Sequence, residues 1–146
     1  MNDTTALPAT TGPATTGQLI GLDRILAVEP GRRAEAVCNV PSTLAIFDSH
    51  FPRFPVLPGV IVLGSLAKLA ALLLRESTLQ EWRLAEAQKV RFRQFVRPGD
   101  VMELIVELTE CDGEQAVCTA RAAVDGKRVT TIGRLLLVRA DEAGAR

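Results

Sequence analysis

Residues 58–74 read PGVIVLGSLAKLAALLL. Pro58 and Gly59 open a helix here: a proline in the first turn lacks only an N–H that has no helical partner there. From 60 to 74 the side chains are apolar nearly all round, which predicts a helix buried on most of its faces. At 1.5 Å per residue it is about 22 Å long. Gly64, Ser65 and Lys68 interrupt it, and it falls short of the roughly 20 apolar residues that span a bilayer. Arg75, Glu76, Ser77 and Thr78 mark its polar exit.

On both sides of this helix the period changes to that of strands. Residues 19–28 form an apolar-biased strand, Glu29-Pro30-Gly31-Arg32 a turn, and 33–40 the return strand. Proline presets φ at the second turn position and glycine accepts positive φ. After the helix, 83–95 runs as a strand to Arg97-Pro98-Gly99-Asp100, a second Pro-Gly turn. Residues 101–110 alternate Met102, Leu104, Val106 and Leu108 with Glu103 and Glu107. Asp112-Gly113 and Asp125-Gly126 are hairpin signals, so 115–124 and 127–138 complete a meander of four strands. One apolar helix among many strands requires a sheet to cover it. The expected class is α+β, with one antiparallel sheet curled round one helix.

Between the first hairpin and the helix lies a stiff, apolar loop. It holds Pro41, Pro52, Pro55 and Pro58 together with Leu44, Ile46, Phe47, Phe51, Phe54, Val56 and Leu57. Prolines at that density exclude regular helix or interior strand, and so apolar a loop packs on the core, where sites are often held.

The 146 residues correspond to about one domain. We divide them into a solvated N-terminal arm (1–17), a folded domain (18–140) and a short tail (141–146). The arm contains six threonines and two prolines and no basic, apolar-cored leader, so the expected location is the cytoplasm. Seventeen Lys and Arg balance seventeen Asp and Glu, which argues against a sequence-independent nucleic-acid binder. Cys38, Cys111 and Cys118 make no CxxC pair and are read as buried small hydrophobes. With a single histidine, His50, a multi-histidine metal site within one chain is excluded. No metal signature or dinucleotide glycine motif is present, and neither cofactor is expected.

His50 stands in Asp48-Ser49-His50-Phe51-Pro52-Arg53-Phe54-Pro55-Val56-Leu57-Pro58-Gly59-Val60. This string resembles the catalytic segment of the hot-dog-fold 3-hydroxyacyl-[acyl carrier protein] dehydratases, which reads His-Phe-Pro-Gly-x-Pro-x-Met-Pro-Gly-Val. Leu22-Asp23-Arg24-Ile25, Glu29-Pro30-Gly31-Arg32, Lys89-Val90-Arg91-Phe92-Arg93 and Val96-Arg97-Pro98-Gly99-Asp100 extend the resemblance over nearly the whole folded part. It implies a hot-dog fold, a dimer built by joining two sheets, and dehydration of a 3-hydroxyacyl thioester carried on the phosphopantetheine arm of an acyl carrier protein, in fatty acid or polyketide synthesis. It implies His50 as base and the Gly59 N–H as oxyanion donor at the helix start. Phe51, Pro58, Val60, Gly64 and Ser65 would then line the substrate, and Arg91, Arg93 and Arg97 would offer a basic patch to an acidic carrier.

One position departs from the pattern. The family carries a glutamate or aspartate on the helix fourteen positions after the histidine; here that position is Gly64, and the helix has no acidic residue before Glu76. Arg53 also replaces the glycine of the histidine string. Three arrangements follow. In the first, a related hot-dog subunit supplies the acid to His50 in a heterodimer. In the second, a homodimer finds another acid, such as Asp48, which shares a side with His50 in an extended segment, or a water held by Ser65; a thioesterase of this fold meets the same shortage of carboxylate. In the third, the chain is a non-catalytic subunit that grips an acyl carrier.

Overall fold

In the computed structural model, residues 21–41 and 56–140 are described. The elements run β1 (Arg24–Glu29), β2 (Arg33–Asn39), α1 (Gly59–Thr78), β3 (Trp82–Phe92), β4 (Val101–Cys111), β5 (Gln115–Val124) and β6 (Lys127–Arg139). Their hydrogen-bonded order is β1-β2-β4-β5-β6-β3, with every pair antiparallel. The expected α+β class therefore holds, but the four-strand meander is reduced to three. β3 leaves α1 and runs to the far edge to pair with β6, while β4 joins β2. The physical reason is α1 itself: a helix laid across the sheet separates the strand before it from the strand after it.

Local chemistry explains the turns. Asp125 and Gly126 both take positive φ (53° and 81°), as the tight hairpin with right-handed strand twist demands. At the other tip, Asp112 Oδ1 accepts the N–H groups of Glu114 and Gln115 at 2.9 and 2.8 Å, an Asx turn that holds the Asp112 carboxyl below its usual pKa.

α1 is longer than the apolar run alone suggested and continues through Arg75–Thr78 to Leu79, which caps it in the left-handed conformation (φ 62°). The last turn is tied down by its own hydroxyls. Thr78 Oγ1 donates to the Leu74 carbonyl and accepts from Trp82 Nε1, and Ser77 Oγ accepts the Gly31 N–H at 2.7 Å. The helix exit is thereby joined to β3 and to the turn between β1 and β2.

The core lies between α1 and one face of the sheet. Leu66, Leu69, Leu73 and Leu74 meet Ala34, Ala36, Cys38, Met102, Leu104, Val106, Cys118, Ala122, Leu135 and Leu137. Small residues on β2 and β5 let the backbone of α1 approach, and leucines fill the remainder. Each enclosed leucine contributes roughly 1.5–3 kcal/mol. No helix among the described residues is long and apolar enough to cross a membrane.

Candidate active site

Among the described residues, no side chain caps the start of α1. Pro58 is its N-cap, with no side-chain capping bond and no acidic residue in the first turn. A helix start of that kind leaves N–H groups directed outward at the positive end of the helix dipole. Ile61 N–H already donates to the Pro58 carbonyl at 3.0 Å, and Leu57 N–H donates to the Val96 carbonyl at 2.7 Å. The second bond anchors the approach to the helix on the segment after β3, and Val56 and Leu57 are buried there. Gly59 and Val60 follow, and Val60 is 68% exposed.

Phe92, at the end of β3, lies over Gly59. A Cβ built on Gly59 would stand 2.5 Å from the Phe92 ring. Glycine is required here for close approach, with the ring set against backbone. Phe92 itself is 56% exposed, so the helix start presents amide hydrogens beside an exposed aromatic edge. This arrangement suits a small anionic oxygen on a molecule with an apolar tail.

One face of α1 continues outward from this point. Val60 and Gly64 are exposed, while Lys68 and Ala71 are half-buried on the same stripe. A Cβ on Gly64 would meet nothing within 4 Å. Burial lowers the Lys68 pKa from its ordinary value. Ser65 does not share this face. It turns inward, 2% exposed, and its Oγ has no hydrogen-bond partner among the described residues. Successive helical residues are about 100° apart, so the expected pair of small residues divides: Gly64 faces outward and Ser65 faces Cys38. The helix is thus enclosed on most of its faces, as its composition suggests, and the described residues leave one stripe uncovered.

The thiols also divide. Cys38 and Cys118 are fully buried, and burial pushes each up to about 12, aided at Cys38 by the Asp23 carboxylate and at Cys118 by Cys111. The Cys38 thiol donates to the Gly21 carbonyl at 3.1 Å. Cys111 is exposed at the end of β4, against the expectation of burial; the hairpin tip projects beyond the reach of α1.

The basic residues separate as well. Arg91 and Arg93 line a shallow trough of about 420 Å³ on the sheet face opposite α1, together with Lys89, Arg121 and Arg128. Arg97 is not in its lining; the Arg97 N–H donates to Asp100 Oδ2 at 2.8 Å in the Pro-Gly turn. His50, Asp48 and Phe51 lie outside the described residues.

Sequence reasoning gave no site role to Lys68, Phe92 or the three further trough cations, Lys89, Arg121 and Arg128. Lys68 had a signal, as the sole charge on the helix before Arg75 and one turn beyond Gly64. Arg121 and Arg128 had none, because only strand register brings them beside Arg91: Arg91 pairs with Thr131, and Thr131 with Arg121.

Comparison with known proteins places the chain in a family. The family model ApeI-like, described as ApeI dehydratase, matches residues 27–130. A 3-hydroxyacyl-[acyl-carrier-protein] dehydratase FabZ of Bacillus cereus (strain AH820) is 38% identical over 109 residues, covering 73% of this chain and 76% of the relative. The protein of the same name from Caldicellulosiruptor bescii is 39% identical over 118 residues, covering 79% and 84%. Among solved structures, the dehydratase heterocomplex ApeI:P from Xenorhabdus doucetiae superposes with a TM-score of 0.68 at 15% identity, covering 85% of each chain. The E. coli PaaI protein of the phenylacetic acid degradation operon superposes at 0.64 and 13%, covering 79% of this chain and 77% of that one. The six-stranded sheet over one helix is the hot-dog fold, and the chain belongs to the ApeI-like dehydratase family, a family of hydro-lyases.

Proposed function

We propose that this chain is the histidine-bearing subunit of a heteromeric dehydratase acting on a 3-hydroxyacyl thioester held by an acyl carrier protein, in fatty acid or polyketide synthesis. His50 takes the C2 proton. The thioester oxygen, as negative charge builds on it, is met by the Gly59 N–H at the start of α1. The C3–O bond breaks, and an acid from a related hot-dog partner protonates the departing hydroxide, leaving the trans-2-enoyl thioester and water. The reaction is redox-neutral and requires no metal; the acyl group travels on phosphopantetheine.

The observation that carries this reading is Gly64. It is exposed on the uncovered stripe of α1, with open space where a Cβ would be, and α1 supplies no carboxylate before Glu76. A site that needs an acid and has none on this face draws it from another chain. The heterocomplex of the structural neighbour supports the arrangement, and the named activity of the curated relatives supports the substrate class. Val60 and Phe92 fit the acyl chain, and Arg91 and Arg93 fit an acidic carrier.

The test is intact-mass analysis of a 3-hydroxyacyl-loaded carrier protein. It is incubated with this chain, with a hot-dog chain bearing Asp or Glu at the position matching Gly64, and with both. Loss of water only with both, abolished by His50→Ala, is the expected result. Turnover by this chain alone, sensitive to Asp48→Asn, overturns the heteromeric arrangement. No turnover in any mixture, with carrier binding unchanged by His50→Ala, overturns the enzymatic reading.

A further inference from the structure

We infer that the basic trough on the outer face of the sheet is a binding site for a chain of phosphates, the group borne by nucleoside di- and triphosphates. The inference goes beyond the dehydratase reading and uses the sheet face opposite α1. The trough crosses β3, β6 and β5. Arg91 on β3 pairs with Thr131 on β6, which pairs with Arg121 on β5. Lys89 and Arg93 flank Arg91 along β3. Arg128 joins from β6 at the Arg93 end, where the Arg93 N–H donates to the Val129 carbonyl at 2.7 Å.

The walls are long cations and the floor is small. Between the walls, β6 presents Thr131 and Gly133. Two strand spacings set β3 and β5 about 9.5 Å apart, and the run from Lys89 to Arg93 spans about 13 Å. The hollow of about 420 Å³ has no carboxylate in its lining. Of its five cations, only Arg121 has a carboxylate within ion-pair reach among the described residues, Glu107 at 3.7 Å. The other four share one hollow in a chain whose charges balance overall. Like charges gathered in this way repel one another, and a polyanion removes that cost.

The backbone bends to bring Lys89 in. Lys89 has a left-handed φ of 57° within β3, uncommon for a residue with a side chain, and such strain concentrates at ligand sites. Gly133 accommodates it: a Cβ there would lie 2.9 Å from the Lys89 Cβ and 3.1 Å from its Cδ. The stem of Lys89 therefore lies over the floor. Width decides the occupant. An acidic helix is about 10–12 Å across with its side chains, so it rests on the rims at Arg91 and Arg93 without reaching Thr131. A phosphate chain is narrower, and its oxygens match both guanidinium forks and a lysine ammonium. The two occupants exclude each other at the shared rim.

The experiment is calorimetric titration of the full chain at low salt with inorganic triphosphate, inorganic phosphate and ATP. Saturable binding of triphosphate is expected, roughly tenfold or more tighter than that of phosphate. Lys89→Gln with Arg128→Gln should weaken it by roughly tenfold or more. Arg24→Gln with Arg83→Gln removes the same charge from exposed positions outside the lining and should leave the affinity unchanged. ATP that competes with triphosphate names a nucleotide as the source, and ATP that does not names a bare phosphate chain; both uphold the site. No saturable binding at millimolar triphosphate, or an equal loss in both double variants, overturns the inference. So does an acidic carrier protein whose binding needs Lys89 and Arg128 while triphosphate is not bound. Should the double variant not fold, the two single changes serve: a several-fold loss in each is expected, and unchanged affinity in both overturns the proposal. Binding rather than turnover is read, so a failure of the dehydratase reading leaves this result standing.

Discussion

On the sheet side of α1, Leu66, Leu69 and Leu73 are fully enclosed, whereas on the opposite side Val60 is 68% exposed and a methyl added at Gly64 would meet nothing. Both sides belong to one apolar helix, yet the described residues cover the first and leave the second open. Composition alone does not separate them. The distinction lies in small positions: Ala70 lets the helix approach the strands, while Gly64 and Ala71 lower the profile of the side left uncovered. Apolar surface that stays exposed in a folded chain points to an assembly or a ligand.

Substitutions on the two faces should therefore diverge. Leu69→Ala leaves a cavity in the enclosed layer and is expected to cost about 3 kcal/mol, within the range for buried leucine, read as a lower denaturation midpoint with an unchanged slope. The covered side should also respond to alkali. Cys38 and Cys118 have folded pKa values of about 12 against an ordinary 9.0. Thiols raised in this way contribute fully below about pH 9, and the contribution is lost as pH rises toward 12. Stability should fall through that window, less steeply in Cys118→Ala, while exposed Cys111 alone reacts quickly with a thiol reagent at neutral pH.

At the junction of the two faces, Gly59→Ala forces the Phe92 ring away from the helix start. Turnover in the assembled enzyme should drop by roughly tenfold or more, the scale of a misplaced transition-state contact. Stability should change by only about 1 kcal/mol, because the ring is half-exposed and can swing. Gly64→Ala lies wholly on the open side. It is expected to raise the stability of the isolated chain by about 1 kcal/mol through helix propensity; a loss of stability in thermal unfolding of the isolated chain would show that the stripe is already covered.

The same contrast marks what was legible in the sequence. Pro58-Gly59, Asp112-Gly113 and Asp125-Gly126 are local signals, and the helix and hairpins they announce stand where expected. The place of β3 was not local: its pairing with β6 depends on which apolar faces meet across α1. The helix start of the candidate site was readable from two residues. The trough was not, since its cations come from three strands, and neither was the inward turn of Ser65, because glycine and serine give no clue to which of them faces a void.

The pairing of β3 with β6 also sets an order on the birth of the fold. Residues 82–92 are synthesised well before 127–139, their only strand neighbours among the described residues. Throughout that interval β3 awaits its pairing with β6, and α1 has no complete sheet beneath it. Contacts so distant along the chain close slowly and leave apolar surface open in the meantime. Truncation before β6 would remove the described neighbour of β3 and expose the edge of β5 as well, so β6 decides whether the strands made before it stay soluble.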